Sequence, residues 1–314
     1  MTIDSHGADA AVAEERVLVT GAAGFIGSAL CRALVRSGYE VHGTSRALRE
    51  GAEVCWWQVD LSDADTITQI LRKVRPSVVF HLASHVTGDR SLSTVLPTAR
   101  DNLLATVNLL TAACEADGPR VVVAGSMEEV DPADPTAAPG SPYSAAKTAA
   151  GTYARLFHAL YGLPITCLRI FMVYGPGQRD TTKLIPYVTT ALLRGEQPLL
   201  TSGTREVDWV YVDDVVAAFI AAAQAPGVVG KIVDVGSGQL ITIRSLVDRL
   251  TRLIGTQVEP LFGALDDRPL QVRRVADIGR TETLIGWRPS TPLDVGLQRT
   301  IRWFAEHATT AEGP

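Results

Sequence analysis

The segment Val17-Leu18-Val19-Thr20-Gly21-Ala22-Ala23-Gly24-Phe25-Ile26-Gly27 restricts this chain more than any other part of it. An apolar β-branched run enters a turn with glycines at 21, 24 and 27, and an amphipathic helical pattern, FIGSALCRALVRSG, follows at once. The three glycines have separate tasks. One makes a tight turn, one lets the backbone approach a pyrophosphate, and one lets the helix pack closely on the strand, with phosphates held at the helix N-terminus. A glycine-rich turn alone is shared with other phosphate loops and with plain turns. The strand before it, the helix after it and the second strand that soon follows make it specific.

The same alternation continues. Strand-like runs at RVLVT, YEVHGTS, 54–59, SVVFHLA (77–83), RVVVAGS (120–126) and ITCLRIF are separated by helical patterns, among them long ones over about 92–116 and 142–161. Strands alternating with helices demand a parallel sheet covered on both faces. The expected fold is therefore α/β, a doubly wound parallel sheet of Rossmann type with a smaller C-terminal α/β substrate-binding lobe. We expect a dinucleotide-binding domain over 16–172 plus about 207–237. A lobe over 173–206 and 238–307 and tails at 1–15 and 308–314 complete the division. Helices are expected near 182–194, 242–254, 277–285 and 292–306. The stretch 207–224 reads as a helix and 231–237 as a strand, both returning to the main sheet. Residues 131–142, DPADPTAAPGSP, read as an ordered proline-rich loop beside the active site.

Composition narrows the class. With 46% apolar and 20% charged residues and no apolar run long enough to cross a bilayer, the chain reads as soluble. The acidic N-terminal stretch lacks the basic start and apolar segment of a secretory signal, which points to the cytoplasm. A formal charge of −5 with scattered basic residues argues against a nucleic-acid-binding face. Cys31, Cys55, Cys114 and Cys167 lie far apart in apolar segments, so buried thiols are expected and no metal site.

The second strand ends in HGTSR. Ser45 stands where an NAD-preferring enzyme places an acidic residue on the adenosine ribose, and Arg46 follows. A guanidinium pairs bidentately with a 2′-phosphate that a carboxylate would repel, so NADP(H) is expected, with NAD(H) as the alternative. Asp60 and Leu61, after the third strand, are placed to contact the adenine, although Asp60 also suits a helix N-terminus.

Ser141-Pro142-Tyr143-Ser144-Ala145-Ala146-Lys147 starts a helix: Ser141 suits the N-cap and Pro142 the first turn. Tyr143 and Lys147, four residues apart, share a face. A free phenol is a poor base at neutral pH. The Lys147 ammonium, the helix N-terminus and an oxidised nicotinamide would each favour the phenolate. Lowering its pKa by about 3 units needs roughly 4 kcal/mol. Tyr143 would then take a hydroxyl proton as hydride leaves. Ser126, at the end of an intervening strand, would hydrogen-bond the reacting oxygen. Alone, a Tyr and a Lys at this spacing are common surface residues; the glycine loop upstream changes that reading.

Together these motifs resemble the extended short-chain dehydrogenase/reductases, specifically the NAD(P)-dependent nucleotide-sugar epimerase/dehydratase family. The resemblance runs from Arg16 to about Phe304 through TGAAGFIG, VVFHLAS, NLLATVNLL, YSAAK, LRIFMVYGPGQ, VDWVYVDDV and IGWRPSTPLDVGLQRTIRWF. It implies catalytic roles for Ser126, Tyr143 and Lys147. It also implies cofactor contacts at Gly21, Gly24, Phe25, Ile26, Gly27 and Ala83, with Tyr143 and Lys147 shared by both sets. A nucleotide-diphosphate sugar substrate is implied, and a homodimer through the helices near 92–116 and 142–161.

Departures from the family pattern bear on the reaction. In members that eliminate water, acidic residues follow the Ser/Thr, and here the sequence is Ser126-Met127-Glu128-Glu129. Glu128 matches one of those positions and is the expected acid/base; the alternative for Glu128 and Glu129 is a pair of solvated loop carboxylates. Met172 stands where the family has an asparagine on the sugar diphosphate, and a thioether cannot replace an amide's donors. Val207 replaces a common arginine, and Arg205, two residues earlier, would supply the charge. Arg268 resembles the arginine that clasps the nucleotide phosphates. The leading expectation is an epimerase or dehydratase working through a transient keto-sugar. An NADPH-dependent keto-sugar reductase and a catalytically silent nucleotide-binding scaffold are the alternatives.

Overall fold

The computed structural model describes residues 15–131, 134, 136–270 and 272–307, so parts of the 131–142 loop and both terminal tails lie outside the described residues. Each β-branched run of the first half forms a strand: β1 (Arg16–Thr20), β2 (Glu40–Ser45), β3 (Val54–Gln58), β4 (Val78–His81), β5 (Arg120–Ser126) and β6 (Ile165–Ile170). The intervening helices are α1 (Phe25–Arg36), α2 (Ala64–Val74), α3 (Val95–Thr98), α4 (Ala105–Glu115) and α5 (Pro142–Tyr161). Beyond them come β7 (Met172–Tyr174), α6 (Leu184–Leu193), β8 (Leu199–Leu200), β9 (Glu206–Tyr211), α7 (Val212–Gln224), β10 (Ile232–Val235), β11 (Leu240–Thr242), α8 (Ile243–Ile254), β12 (Leu261–Phe262), α9 (Ile278–Ile285) and α10 (Leu293–His307).

The main sheet has the order β3-β2-β1-β4-β5-β6-β10, and every pairing in it is parallel. Its central strands are buried on both faces, which is why they read as continuous apolar runs rather than alternating ones. One face packs Leu30, Leu34, Val215 and Phe219 of α1 and α7. The other packs Ile67, Leu71, Leu109, Leu110 and Phe157 of α2, α4 and α5. Strand order reverses between β1 and β4, and the crevice at that reversal is where open α/β sheets bind ligands. A three-stranded sheet, β11-β9-β7, and a two-stranded one, β12-β8, form the C-terminal part.

Helix ends follow the sequence signals. The Ser141 hydroxyl accepts from the Ser144 N–H (3.1 Å), Pro142 opens α5, and Gly162 ends it at φ +68°. Two segments depart from expectation. The long helix over 92–116 is interrupted by a π-helix at Ala99–Leu104 between α3 and α4. Apolar periodicity does not reveal such a wider turn, which here turns Asn102 fully inward. The stretch 207–224 begins with a strand, β9, and only then becomes helix α7. Every residue of Val207–Tyr211 is buried, so its apolar content could not distinguish strand from helix.

The cysteines divide. Cys31 and Cys167 are buried as expected, and burial pushes both thiols up to about 12. Cys55 and Cys114 are exposed, which corrects the expectation for them: Cys55 lies on edge strand β3, and Cys114 sits in the last turn of α4. Cys55 lies close to Glu40 and His42. The Trp57 Nε1–H donates to His42 Nδ1 (3.0 Å), which leaves the ring proton on Nε2, bonded to Glu40 (2.9 Å). A metal would need that Nε2 lone pair, so this trio is satisfied as a hydrogen-bonded chain. Among the described residues no helix is long and apolar enough to cross a membrane.

Asp208 of β9 fastens the C-terminal part. It is fully buried, and its carboxylate accepts from the Ser237 N–H (2.6 Å) and hydroxyl (2.7 Å), the Gly238 N–H (3.0 Å) and the Ala276 N–H (3.0 Å). Asp208→Ala strands these donors, each left unpaired at about 1–3 kcal/mol. We expect it to lower unfolding stability by at least about 3 kcal/mol, read as a lower urea midpoint at unchanged slope. A wild-type midpoint would sink this role.

Candidate active site

At the end of β1 the backbone turns through Gly21 at φ +67°. A Cβ on Gly21 would lie 2.7 Å from the Ala83 nitrogen, and one on Gly27 would overlap the Gly21 carbonyl oxygen. Neither position admits a side chain. The N-cap of α1 is Gly24, which offers no capping group, and the first turn has no acidic residue. The first-turn N–H groups of α1 therefore remain available to an anion in the crevice, as a dinucleotide pyrophosphate requires. The partly buried Phe25 and Ile26 pack back on the core and anchor this helix end. Beneath the loop, Thr20 hydrogen-bonds His81 Nδ1 (2.8 Å), and His81 Nε2 bonds Thr106 (2.9 Å). Burial, reinforced by the Lys147 charge, holds this imidazole neutral with its pKa down to about 3.

At the ends of β2 and β3 the expected adenosine contacts take distinct places. The Ser45 hydroxyl accepts from the Ala47 N–H (3.2 Å), and Arg46 is exposed and paired with Asp101 (3.1 Å). Asp60 accepts from the Ser62 N–H (2.9 Å) and hydroxyl (2.8 Å), and these bonds hold its carboxyl below the usual carboxylate range. The helix cap that Asp60 was suited to is supplied by Asp63 instead. Leu61 turns its side chain into the core, which leaves its backbone as the part that can meet a ligand.

Across the crevice, β5 and α5 bring Ser126, Glu128, Tyr143 and Lys147 together. The Tyr143 hydroxyl is in hydrogen-bonding reach of Ser126 and of Ser84. The Glu128 N–H donates to the Ser126 hydroxyl oxygen (3.1 Å). The Glu128 carboxylate faces Tyr143 on one side and Arg205 on the other. Lys147 is buried, with Nζ 2.9 Å from the Ala124 carbonyl and 6.0 Å from the Tyr143 ring centre. Burial brings the Lys147 ammonium down to about 8, opposed by the Glu129 charge. Tyr143 departs from expectation. Burial first, and the Glu128 and Glu129 charges after it, hold its phenol well above the ordinary value, so Lys147 and the helix N-terminus do not by themselves lower it.

Farther out, Met172 on β7 is half-buried opposite Trp209 and offers only apolar contact. Arg205, just before β9, has a buried Nε with no hydrogen-bond partner and lies near Arg268 and Arg90. Arg268 donates to the Gly88 carbonyl (3.3 Å), and Arg90 to the Pro269 carbonyl (2.6 Å), so the loop after β4 and the segment before residue 270 brace each other. These three guanidinium groups form the positive end of the crevice.

Sequence reasoning missed three residues here. Ser84 follows the HLA run, and the strand reversal between β1 and β4 marks its loop as part of the site. Asn102 accepts from the His85 N–H (2.6 Å) and the Ser84 hydroxyl (3.0 Å), holding Ser84 toward Tyr143. Arg90 carries no motif. One alternative is also corrected: Glu129 is not a solvated loop carboxylate but is buried, because the turn after β5 folds it back beneath Ser126.

A doubly wound sheet, a glycine loop at its crevice and a Ser/Tyr/Lys group across from it define an extended short-chain dehydrogenase/reductase. Residues 17–236 match the model of the NAD dependent epimerase/dehydratase family, and the chain belongs to that family. It is 33% identical to a UDP-glucose 4-epimerase of Mycolicibacterium smegmatis, with 92% of this chain and 98% of that protein covered. It is 30% identical to a probable dTDP-glucose 4,6-dehydratase of Sinorhizobium fredii, with 93% of each covered. Among solved structures, MoeE5 in complex with UDP-glucuronic acid and NAD superimposes with a TM-score of 0.82 at 34% identity, covering 93% of this chain and 99% of that one.

Proposed function

We propose that the chain oxidises one carbon of a nucleoside-diphosphate sugar transiently, with Ser126, Tyr143 and Lys147 at the reacting hydroxyl and Glu128 as a second proton-transfer group. The observation that carries this reading is the convergence of Glu128, Ser126 and Tyr143 at the end of β5, opposite the glycine loop. Gly21, Gly24 and Gly27 with the uncapped start of α1 would hold the cofactor pyrophosphate. Ser45, Arg46, Asp60 and the Leu61 backbone would hold the adenosine half, and Ala83, Tyr143 and Lys147 the nicotinamide half. A nicotinamide held there would supply reversible hydride acceptance from the sugar carbon. Tyr143 receives the hydroxyl proton at Oη, the Ser126 hydroxyl holds the reacting oxygen, and the Lys147 ammonium stabilises the phenolate. Glu128 moves a proton at the position next to the new ketone, where carbon-bound protons have become acidic. Arg205, with an unspent buried Nε, and Arg268 would clasp the diphosphate.

A second reading has its own support. Met127 leaves the site without a second acid in line, and Glu128 lies beside Arg205, so a 4-epimerase would need Glu128 only as that arginine's partner. A panel of UDP- and dTDP-sugars, followed by product mass and reduced-nicotinamide absorbance, distinguishes the readings. Loss of water, together with a turnover drop of about a hundredfold or more in Glu128→Gln, supports proton transfer by Glu128. Unchanged mass with full activity in Glu128→Gln leaves plain epimerisation. Stoichiometric NADPH consumption makes the chain a reductase.

For the cofactor we infer a preference for NADP(H). The residues at the end of β2 are Ser45 and Arg46 rather than an acidic one, and Arg46 is exposed, paired with Asp101 and also faced by Asp60. An exposed ion pair is worth about 0–1 kcal/mol and yields readily to a bidentate phosphate contact. Arg46→Ala is expected to raise the Kd of NADP(H) about tenfold and leave that of NAD(H) unchanged. Equal changes for both, measured by calorimetry, would remove the Arg46 assignment.

We also propose a homodimer through α3, the π-helix, α4 and α5. Leu96, Leu104, Tyr153, Leu156 and Leu160 are exposed there, and the three on α5 share one helix face. A groove lined by Leu96, Pro97, Leu103, Leu104, Val107 and Tyr153 runs between them. Sedimentation at micromolar concentration should give twice the chain mass, and a monomer would remove this interface.

A further inference from the structure

Directly behind the Ser/Tyr/Lys group lies a buried carboxylate that the mechanism does not use. Glu129 follows β5 by three residues, yet the turn brings its side chain back under the strand end. One carboxylate oxygen, Oε1, accepts from the Ser126 N–H at 2.7 Å. The space for it is built from two glycines. A Cβ on Gly125 would stand 2.6 Å from Oε1, and one on Gly151, on the facing side of α5, would stand 3.4 Å from Oε2. The loop that carries Glu129 is pinned from the C-terminal part, where Arg274 donates to the backbone carbonyls of Met127 (2.9 Å) and Glu129 (3.1 Å).

The surroundings of this carboxylate are charged on several sides. From α5 it is faced by Lys147 and Tyr143, from β6 by Arg169 and Cys167, and from the segment before α9 by Arg274. Arg169 is itself paired with Asp234 (3.1 Å), and Arg274 also faces Asp131 and Asp234. Lys147 additionally faces the neutral His81 of β4. Among these cations, Lys147 hydrogen-bonds the neutral Ala124 carbonyl, and Glu129 is the buried carboxylate it faces. Burial pushes the Glu129 carboxyl up, and the Ser126 N–H with the Lys147, Arg169 and Arg274 charges opposes that shift in favour of the ionised form.

We propose that Glu129 is a positioning residue, a buried carboxylate that fixes Ser126 through its backbone N–H and serves as the counter-charge of Lys147. Its effect on chemistry passes through those two residues, and it rests on the roles assigned to them under Proposed function. The sign follows from the geometry. A negative charge beside a buried ammonium favours the charged form, so removing it lets Lys147 lose its proton at lower pH. Glu129→Gln keeps the length of the side chain and a carbonyl oxygen for the Ser126 N–H but removes the charge. Glu129→Asp keeps the charge and retracts it by one methylene.

The chain contains four lysines, Lys73, Lys147, Lys183 and Lys231, so isotope-labelled lysine gives a resolvable NMR titration of the holoenzyme, with Lys147→Arg identifying the signal. In Glu129→Gln the Lys147 midpoint should fall by about one pH unit, and in Glu129→Asp by less in the same direction. The basic limb of the kcat profile should move to lower pH with it, so that the loss of turnover grows as pH rises. An unmoved Lys147 midpoint in either folded variant, or a loss of turnover equal at all pH values, would overturn the proposal. The titration needs no substrate, so a chain inactive on every nucleotide sugar would fail the function proposed above and still give a reading on Glu129.

Discussion

Where β1 ends, three backbones come so close that no side chain fits between them. Gly21 lies against the Ala83 nitrogen, and Gly27 lies against the Gly21 carbonyl. That double contact fixes the approach of α1 to the sheet and points its uncapped N-terminus into the crevice. It also fixes the start of the loop after β4. Ser84 is the next residue, and the inward Asn102 of the π-helix holds it in place. The position of Tyr143 relative to the glycine loop thus depends on a relay of short contacts that begins with two absent Cβ atoms.

The other half of the site depends on buried carboxylates within VDWVYVDD. Asp208 gathers the loops around Ser237 and Ala276, and Asp214 accepts from the Ser290 N–H (3.0 Å), the Ser290 hydroxyl (2.8 Å) and the Thr291 N–H (3.1 Å). These bonds set the segments that precede α9 and α10. Arg274 reaches the turn after β5 from the first of them, so the geometry at Ser126 is shared between the sheet and the C-terminal part. A defect far from the crevice in sequence is therefore felt at the reacting residues.

Much of this architecture was legible because local chemistry and tertiary role coincide. The TGAAGFIG turn, the Ser141-Pro142 helix start and the continuous apolar strands each have one physical reading, and the structure carries it. What could not be read depends on distant partners. The π-helix has the same apolar content as an α-helix, so nothing in its letters turns Asn102 inward. Val207–Tyr211 is buried on both faces, Asp208 included, and looked helical until β7 and β11 were available to pair with it. Glu129 looked like a loop carboxylate because the pocket that receives it is made by Gly125 and Gly151, one adjacent to it in a strand and the other on a helix. Arg46, Arg205 and Arg268 were visible as charges, but what they meet, Asp101, Glu128 and the Gly88 carbonyl, comes from separate segments.

The tyrosine illustrates how electrostatics at this site divides between protein and ligand. Burial and two nearby carboxylates, Glu128 and Glu129, oppose its ionisation, while Lys147 is held close at hand. A phenol in that setting stays protonated until further positive charge enters the crevice. Any cation that stabilises the phenolate is in turn bound more tightly by it, since the coupling is reciprocal. The same Glu129 charge that hinders the phenolate keeps Lys147 cationic. Removing either carboxylate to ease the tyrosine would therefore weaken the ammonium or the proton transfer beside it, and the arrangement is a compromise between two buried charges of opposite sign.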